Sequence, residues 1–426
     1  HAQSFGSELL LFVPEARVRV ESGSLFEPPA VVEYAVARGA DVRLIRGARG
    51  LFNLEGWMPD AAPGPDAAAP PRAAAPAPVA IRRLELEGGA FTYADYSDGR
   101  NPIILRLSGL GAIATNVILA DIPGGEVAGP GGLALHARLE QRPHPDALFG
   151  LRARFGALGG GIPRADAEAA LAGLYVNAIA ATARESIPDV FWGAPVTLEC
   201  AAASAADSIG ISLRAGTGGG REIADLERLE LELDGGEPTG RLRLRNLRVF
   251  QPEGFGGGLL LSVAGAEAFC APASISSPPL DIRYARVERP ELNVVIRSNG
   301  VANTGAFFPG PGSGGDAGRR AAQAGGALPI LLRELSVSGA SLRLRDDTPR
   351  GAPLDLEFAD IIIEATNLLA NASRLDEAAP GALRATASLR QPGRRDALLG
   401  ACARTAPLVR MRPAFNASAR VGCLEL

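Results

Sequence analysis

The sequence predicts a mainly β protein, a tandem-repeated, twisted antiparallel sheet that forms an open groove, with a few short helices. Three observations carry this. Glycine (52) and proline (33), the two poorest helix formers, together supply 85 of the 426 residues. Leucine recurs at every second position against Arg, Glu, Asp or Ser in one short run after another, the period of a strand with one apolar face. And the chain aligns with itself at an offset of about 250 residues.

The self-alignment falls into three collinear blocks. Residues 5–53 match 255–303 without a gap, with 14 identities in 49 positions, among them Tyr34-Ala35 with Tyr284-Ala285 and Asn53 with Asn303. Residues 82–116 match 333–367 at an offset of 251, with nine identities in 35, including Asp95/Asp346 and Ala114-Thr115-Asn116 with Ala365-Thr366-Asn367. Residues 133–150 match 383–400, sharing Gln141/Gln391 and Asp146-Ala147-Leu148 with Asp396-Ala397-Leu398. Shared composition does not produce three ordered blocks with one single-residue slip. The reading is a tandem duplication, with a first unit over 1–237 and a second over 238–426. Ala/Pro-rich Pro59–Pro78 and Gly/Ala-rich Pro309–Leu328 stand at matching places and read as exposed loops, 59–78 and 309–328. The chain opens at His1 and stops inside its second copy. A longer protein is expected from this, its anchor or export signal outside the present sequence.

The strands follow from alternation. Leu84 and Leu86, Leu229 and Leu231, Leu242 and Leu244, Leu342 and Leu344, and Leu354 and Leu356 are each separated by one polar residue. Strand parity therefore puts each pair on an apolar face, and these ten leucines are the candidate groove lining. A register slip of one residue would invert every face. Gly, Pro, Asp and Asn clusters between the runs read as hairpin turns. One helix is predicted over Asn177–Ser186, ended by Pro188. Leu171, Leu174, Tyr175 and Ala178 would extend it backwards. The repeat opposes that extension, because Leu171–Val176 aligns with the strand-like Val421–Leu426.

Composition narrows the chemistry. All 43 basic residues are arginine, so every lysine mechanism is excluded. Net charge is −4 and Arg is interleaved with acids, leaving no basic block for nucleic acid. Cys200, Cys270, Cys402 and Cys423 are widely spaced and read as buried small hydrophobes rather than a disulfide framework or zinc site. No apolar run approaches the ~18 residues of a membrane-spanning helix.

Nothing in the sequence points to catalysis. His136 and His144 flank a turn-like Arg-Pro-His-Pro, and Thr386 and Arg394 replace them in the second copy. Asp95 and Asp346 each end a strand before a Pro-bounded turn, the setting of an Asx turn rather than a catalytic acid. Asn53 and Asn303 read as turn residues. The glycine runs Gly159–Gly161, Gly218–Gly220 and Gly256–Gly258 lack a dinucleotide-binding register. Asn371-Ala372-Ser373 and Asn416-Ala417-Ser418 fit a glycosylation triplet that arises often by chance. The reading is a non-enzyme without cofactor, metal or catalytic residues.

The ordered motifs do resemble a known family. The run Leu-Arg-Leu-Arg-Asn-Leu-Arg-Val-Phe-Gln-Pro-Glu-Gly-Phe at 242–255 leads through Ile282-Arg-Tyr-Ala-Arg-Val-Glu-Arg-Pro-Glu-Leu292 to Val295-Ile-Arg-Ser-Asn-Gly-Val-Ala-Asn303. Leu332 to Asp347 follows after the loop, and Val42–Asn53 with Leu84–Asp95 carry the same order in the first copy. This resembles the AsmA-like superfamily of bacterial envelope proteins, over nearly the whole chain. The resemblance implies a twisted β-groove of the bridge-like lipid-transfer type. It implies anchoring in the inner membrane, a periplasmic location, and phospholipid or another acyl-chain lipid as partner beside further envelope proteins, in outer-membrane biogenesis. The family's N-terminal membrane helix is missing here. A structural or adhesive cell-surface β-repeat protein with a dry core is the alternative.

Overall fold

The computed structural model describes residues 10–25, 29–47, 52–53, 79–96, 103–119, 130–141, 143–156, 164–175, 195–205, 207–234, 237–252, 254–272, 274, 280–304, 330–348, 353–370, 381–390, 395–405 and 415–422. The loops 59–78 and 309–328, the helix expected over Asn177–Ser186, Gly159–Gly161, the triplet at Asn371 and Cys423 lie outside them. By compactness the chain divides into residues 1–206 with 217–220, and residues 207–216 with 221–426.

The first unit is an open sheet built from β1 (Leu11–Phe12), β2 (Glu15–Val20), β3 (Ala30–Arg38), β4 (Asp41–Arg46), β5 (Val79–Asp95), β6 (Ile103–Leu119), β7 (Gly131–Leu139), β8 (Ala147–Phe155), β9 (Ala165–Leu174) and β10 (Val196–Ser204). From β5 to β10 every neighbour is consecutive and antiparallel. On the other edge of β5, β3 pairs with Val79–Glu87 and β4 with Ala90–Asp95, both parallel, while β2 and β1 add on outside them.

The second unit comprises β11 (Ser208–Thr217), β12 (Glu222–Asp234), β13 (Glu237–Phe250), β14 (Leu259–Cys270), β15 (Leu280–Ile296), β16 (Ile330–Asp346), β17 (Leu354–Ala370), β18 (Gly381–Arg390), β19 (Ala397–Thr405) and β20 (Phe415–Gly422). Consecutive strands pair throughout, antiparallel except for the parallel β15 and β16.

The duplication is legible in the hydrogen-bond register itself. Glu15 faces Arg38 in β2–β3 as Gly265 faces Glu288 in β14–β15. Phe91 faces Leu107 as Leu342 faces Phe358, and the bulges between Leu86 and Gly89 recur between Val337 and Ala340. The repeated Ala-Thr-Asn triplets end on Asn116 and Asn367, each at φ 52°, a left-handed conformation that asparagine tolerates. Such bulges strengthen local twist, and the sheets are twisted and almost wholly β.

The twisted, open, mainly β architecture expected from the sequence is the one the structure shows, its strands mostly antiparallel, with parallel pairing of β3 and β4 with β5 and of β15 with β16. A parallel pair cannot be closed by a hairpin and needs a crossover of a dozen or more residues. That is where the low-complexity stretches fall: between β4 and β5, and between β15 and β16. The few short helices reduce, among the described residues with complete bounds, to one 3-10 turn at Ser22–Leu25. The helical spacing of Leu171 and Leu174 is overridden by strand β9, whose neighbours β8 and β10 saturate its backbone.

The most buried side chains follow the repeat too. Ala147 and Ala397, the middle residues of the two Asp-Ala-Leu triplets, are 0% exposed. Leu139 and Leu174 close over Ala147, with Leu105, Leu107, Leu171 and Leu198 packed around them.

Candidate functional site

Cross-strand partners share a face, so the register converts strand parity into a surface. In the second unit, Leu229 stands opposite Leu244 and Leu231 opposite Leu242. Leu244 and Leu242 then face Ala266 and Ala268 on β14, which face Val287 and Ala285 on β15. Those lead to Val337 and Leu335 on β16, to Ile363 and Ala365 on β17, and to Ala385 and Leu383 on β18. A second lane runs Leu292, Leu342, Phe358, Leu389. Leu344 joins it beside Leu356, and Leu354 stands opposite Asp346 at the strand end.

Thus the eight candidate leucines of this unit fall on one face, in two groups bridged by the small side chains of β14 and β15. Leu84 and Leu86 hold the same place in the first unit, opposite Ala35 and Ala37 on one side and Ala114 and Ala112 on the other. Most of the ten are half-buried, while Leu84 (40%) and Leu354 (44%) are exposed.

The opposite face is charged. Arg243 stands across from Glu230 and Glu267, and Arg241 reaches Glu232 at 3.2 Å and Glu267 at 3.3 Å. Arg333 binds both carboxylate oxygens of Asp281 at 2.8 Å, which holds the Asp281 carboxyl below its ordinary range. Arg343 does the same to Asp355. Such partly exposed pairs contribute about 0–1 kcal/mol each. Their larger effect is on solubility and on which face meets water.

The polar candidates resolve into structural parts. Asn53 and Asn303 extend the sheet edge with their side chains: Asn303 Nδ2 donates to the Asn293 carbonyl at 2.8 Å, and Asn53 Nδ2 to that of Arg43 at 2.8 Å. Asp346 forms the expected Asx turn, accepting from the Thr348 amide at 2.9 Å. The Asp95 carboxylate accepts from the Tyr93 hydroxyl at 3.1 Å and pairs with Arg46 at 3.3 Å. Arg46 also lies over the Phe52 ring, 5.8 Å from its centroid. Arg46, Tyr93 and Asp95 share the parity of Val42, Leu44 and Phe91, so these polar groups stand at the rim of the apolar face. Burial and the Asp95 hydrogen bond push the Tyr93 phenol up from its ordinary range.

His136 covers Gly111, where a Cβ would meet the imidazole at 2.3 Å. His144 stacks on Tyr175 with ring centroids 4.1 Å apart. Cys270 is buried and Cys200 half-buried, as small hydrophobes should be. Cys402 departs from that expectation: it is exposed, because its position in β19 has the polar parity of Arg384 and Ser418. Gln141, which the sequence marks only as shared by the two copies, is buried and fully used. Its Nε2 donates to the carbonyls of Pro145 (2.7 Å) and Gly173 (2.6 Å), and its Oε1 accepts from the Tyr175 amide (2.9 Å).

Among the described residues no group of three or more His, Cys, Asp or Glu could hold a metal ion, and no helix is long and apolar enough to cross a membrane. No known family, curated protein or solved structure matches this chain.

Proposed function

We propose that the chain is a non-enzymatic, acyl-chain-binding segment of an AsmA-like cell-envelope protein. Its apolar sheet face would carry phospholipid or another acyl-chain lipid through the periplasm, from an inner-membrane anchor outside this chain, in support of outer-membrane biogenesis. The observation that supports this is the continuity of the apolar lanes in the second unit. From Leu229 on β12 to Ala401 on β19 the paired side chains of the two lanes are apolar, and seven of the eight candidate leucines of this unit are half-buried.

The energetics fit a cargo without a specific recognition group. Each CH₂ taken out of water contributes about 0.8 kcal/mol. A chain lying across the strands meets another apolar side chain at every step of about 4.8 Å. Retention then needs continuity rather than any one residue.

The test is direct. The protein is incubated with vesicles of mixed phospholipids, re-isolated and extracted, and the extract is read by mass spectrometry. Bound phospholipid, lost when Leu244 and Leu342 are both changed to Glu with the β-sheet circular dichroism retained, supports the reading. A lipid-free protein whose apolar face is covered by its own chain would instead favour the dry-core structural repeat.

A further inference from the structure

The charged face of the second unit changes character along the sheet. From β12 to β17 its arginines are interleaved with carboxylates, as in Arg241 with Glu232 and Glu267, Arg333 with Asp281 and Arg343 with Asp355. Across β18, β19 and β20 that pattern stops. Arg384 on β18 stands opposite Cys402 on β19, which stands opposite Ser418 on β20. Arg404 lies two residues beyond Cys402 and Arg420 two beyond Ser418, so strand parity puts all three arginines on this face. All three are exposed, and none forms an ion pair among the described residues. The bordering acids belong to β17, where Glu357 is taken by Arg390 at 2.8 Å and Glu364 stands across from Arg384.

The first copy gives the measure of this departure. Its β7, β8 and β9 keep the same register, Leu139 against Ala147 as Leu389 against Ala397, and Leu148 against Ala172 as Leu398 against Gly422. There Arg152 stands directly opposite Glu168, and Arg154 opposite Asp166. In the second copy Ser418 and Asn416 replace those two acids, and Arg384 and Arg420 replace Ala134 and Ala170. Over 131–140, 145–155 and 165–172 the first copy carries three arginines against four acids. Over the matching 381–390, 395–405 and 415–422 the second carries five against one. The whole chain has a net charge of −4, so the excess is local. An exposed leucine is common to both copies, Leu148 at 59% and Leu398 at 62%. The second copy alone sets that leucine on a face of unmatched cations.

We propose that the β18–β20 face of the second unit docks on an anionic lipid bilayer, its arginines against the lipid phosphates and Leu398 in the interfacial layer. The patch lies on the side of the sheet away from the apolar lanes and stands independently of the acyl-chain reading. Charge complementarity requires an anionic partner, and the spread of the charges selects a surface. Arg404 and Arg420 are about 14 Å apart by strand geometry. Guanidiniums so placed span several headgroups instead of converging on one phosphate. Leu398 adds what a soluble polyanion has no use for, a side chain that gains by leaving water.

The test uses the full chain with vesicles of phosphatidylcholine alone and of phosphatidylcholine with phosphatidylglycerol in equal parts, read by co-sedimentation at low and at high salt. Each basic residue held at an anionic surface strengthens binding by about fivefold. The native chain should therefore prefer the anionic vesicles by about a hundredfold, and salt should shrink that preference. Arg384→Gln, Arg404→Gln and Arg420→Gln together should abolish it with the β-sheet circular dichroism retained. Arg138→Gln, Arg152→Gln and Arg154→Gln remove the same charge from the first copy and should leave it in place. Leu398→Ser should weaken vesicle binding without changing capture by soluble polyglutamate. Equal losses in the two triple variants would reduce the effect to net charge and overturn the proposal. Native binding that is the same on both kinds of vesicle would overturn it too, while leaving the acyl-chain reading standing. Binding to polyglutamate but not to anionic vesicles would overturn it in favour of an acidic protein.

Discussion

Asn303 and Val295 are joined by two hydrogen bonds that imitate a strand pairing. The Asn303 amide donates to the Val295 carbonyl at 2.9 Å, and the Val295 amide donates to Asn303 Oδ1 at 2.9 Å. Asn53 makes the same pair of bonds with Ile45. The side chain stands in for the backbone of a missing neighbour, so the edge of β15 is capped by one residue rather than by a strand. Asn303 is 0% exposed, and truncation leaves the Val295 amide and the Asn293 carbonyl without a partner. Asn303→Ala should therefore cost about 2–3 kcal/mol, and Asn53→Ala, at a half-buried site, less. Urea unfolding midpoints of the two variants check this ordering, and equal losses would contradict it.

The Asp-Ala-Leu triplets make a sharper contrast between neighbours. Ala147 is fully buried beneath Leu139 and Leu174, whereas Leu148 is 59% exposed on the charged face. Ala147→Leu forces three further carbon atoms into closed space and should destabilise by about 1–3 kcal/mol. Leu148→Ser should stay within about 0.5 kcal/mol of the native chain. Thermal unfolding of both variants separates them. The same pair of outcomes is expected at Ala397 and Leu398, the latter 62% exposed.

Stability should fall in acid through the paired carboxylates. Arg333 lowers the Asp281 carboxyl, chiefly by its hydrogen bonds, and Arg343 lowers that of Asp355. A carboxyl depressed in the folded state binds its proton more readily when unfolded. Its stabilisation is present above the ordinary carboxylate range and is lost as pH falls through the folded value. Asp281→Asn should flatten this part of the acid slope and be best tolerated at low pH. Urea midpoints measured from pH 7 down to pH 3 test this. A variant with an unchanged slope would assign the acid loss to other groups.

Much of this was legible in the sequence, because the features concerned are local or repeated. Leucine alternation set the face of Leu229, Leu231, Leu242 and Leu244, since strand parity needs no knowledge of the partner strand. The repeat alone assigns Leu171 to a strand rather than a helix, because its counterpart lies in the strand-like Val421–Leu426. The parallel pairing of β15 with β16 was not legible, because strand direction depends on where a long crossover returns the chain. The Arg46–Asp95 pair was missed for a related reason. Each residue looked like ordinary strand-end polarity, and only the parallel register of β4 against β5 sets them opposite each other on the apolar side. Cys402 shows the converse: its polar parity was readable from Arg384 and Arg404, yet residue type alone suggested burial.

The break between β3 and β4 gives a final prediction about backbone strain. Gly39 lies there at φ 63°, where its amide donates to the Glu87 carbonyl at 2.9 Å and a Cβ would meet Pro14 Cγ at 3.4 Å. Its counterpart in the second copy is Arg289, held at φ 45° inside the continuous strand β15. The same bend is thus made once by a residue suited to the left-handed region and once by one that is not. Gly39→Ala should cost about 1 kcal/mol or more, since alanine must adopt that strained conformation. Arg289→Gly should relieve strain in the second unit, with a gain below about 1 kcal/mol because glycine also loosens the unfolded chain. Melting temperatures of the two variants should move in opposite directions. A loss in both would show that the Arg289 side chain, not its backbone, sustains the bend.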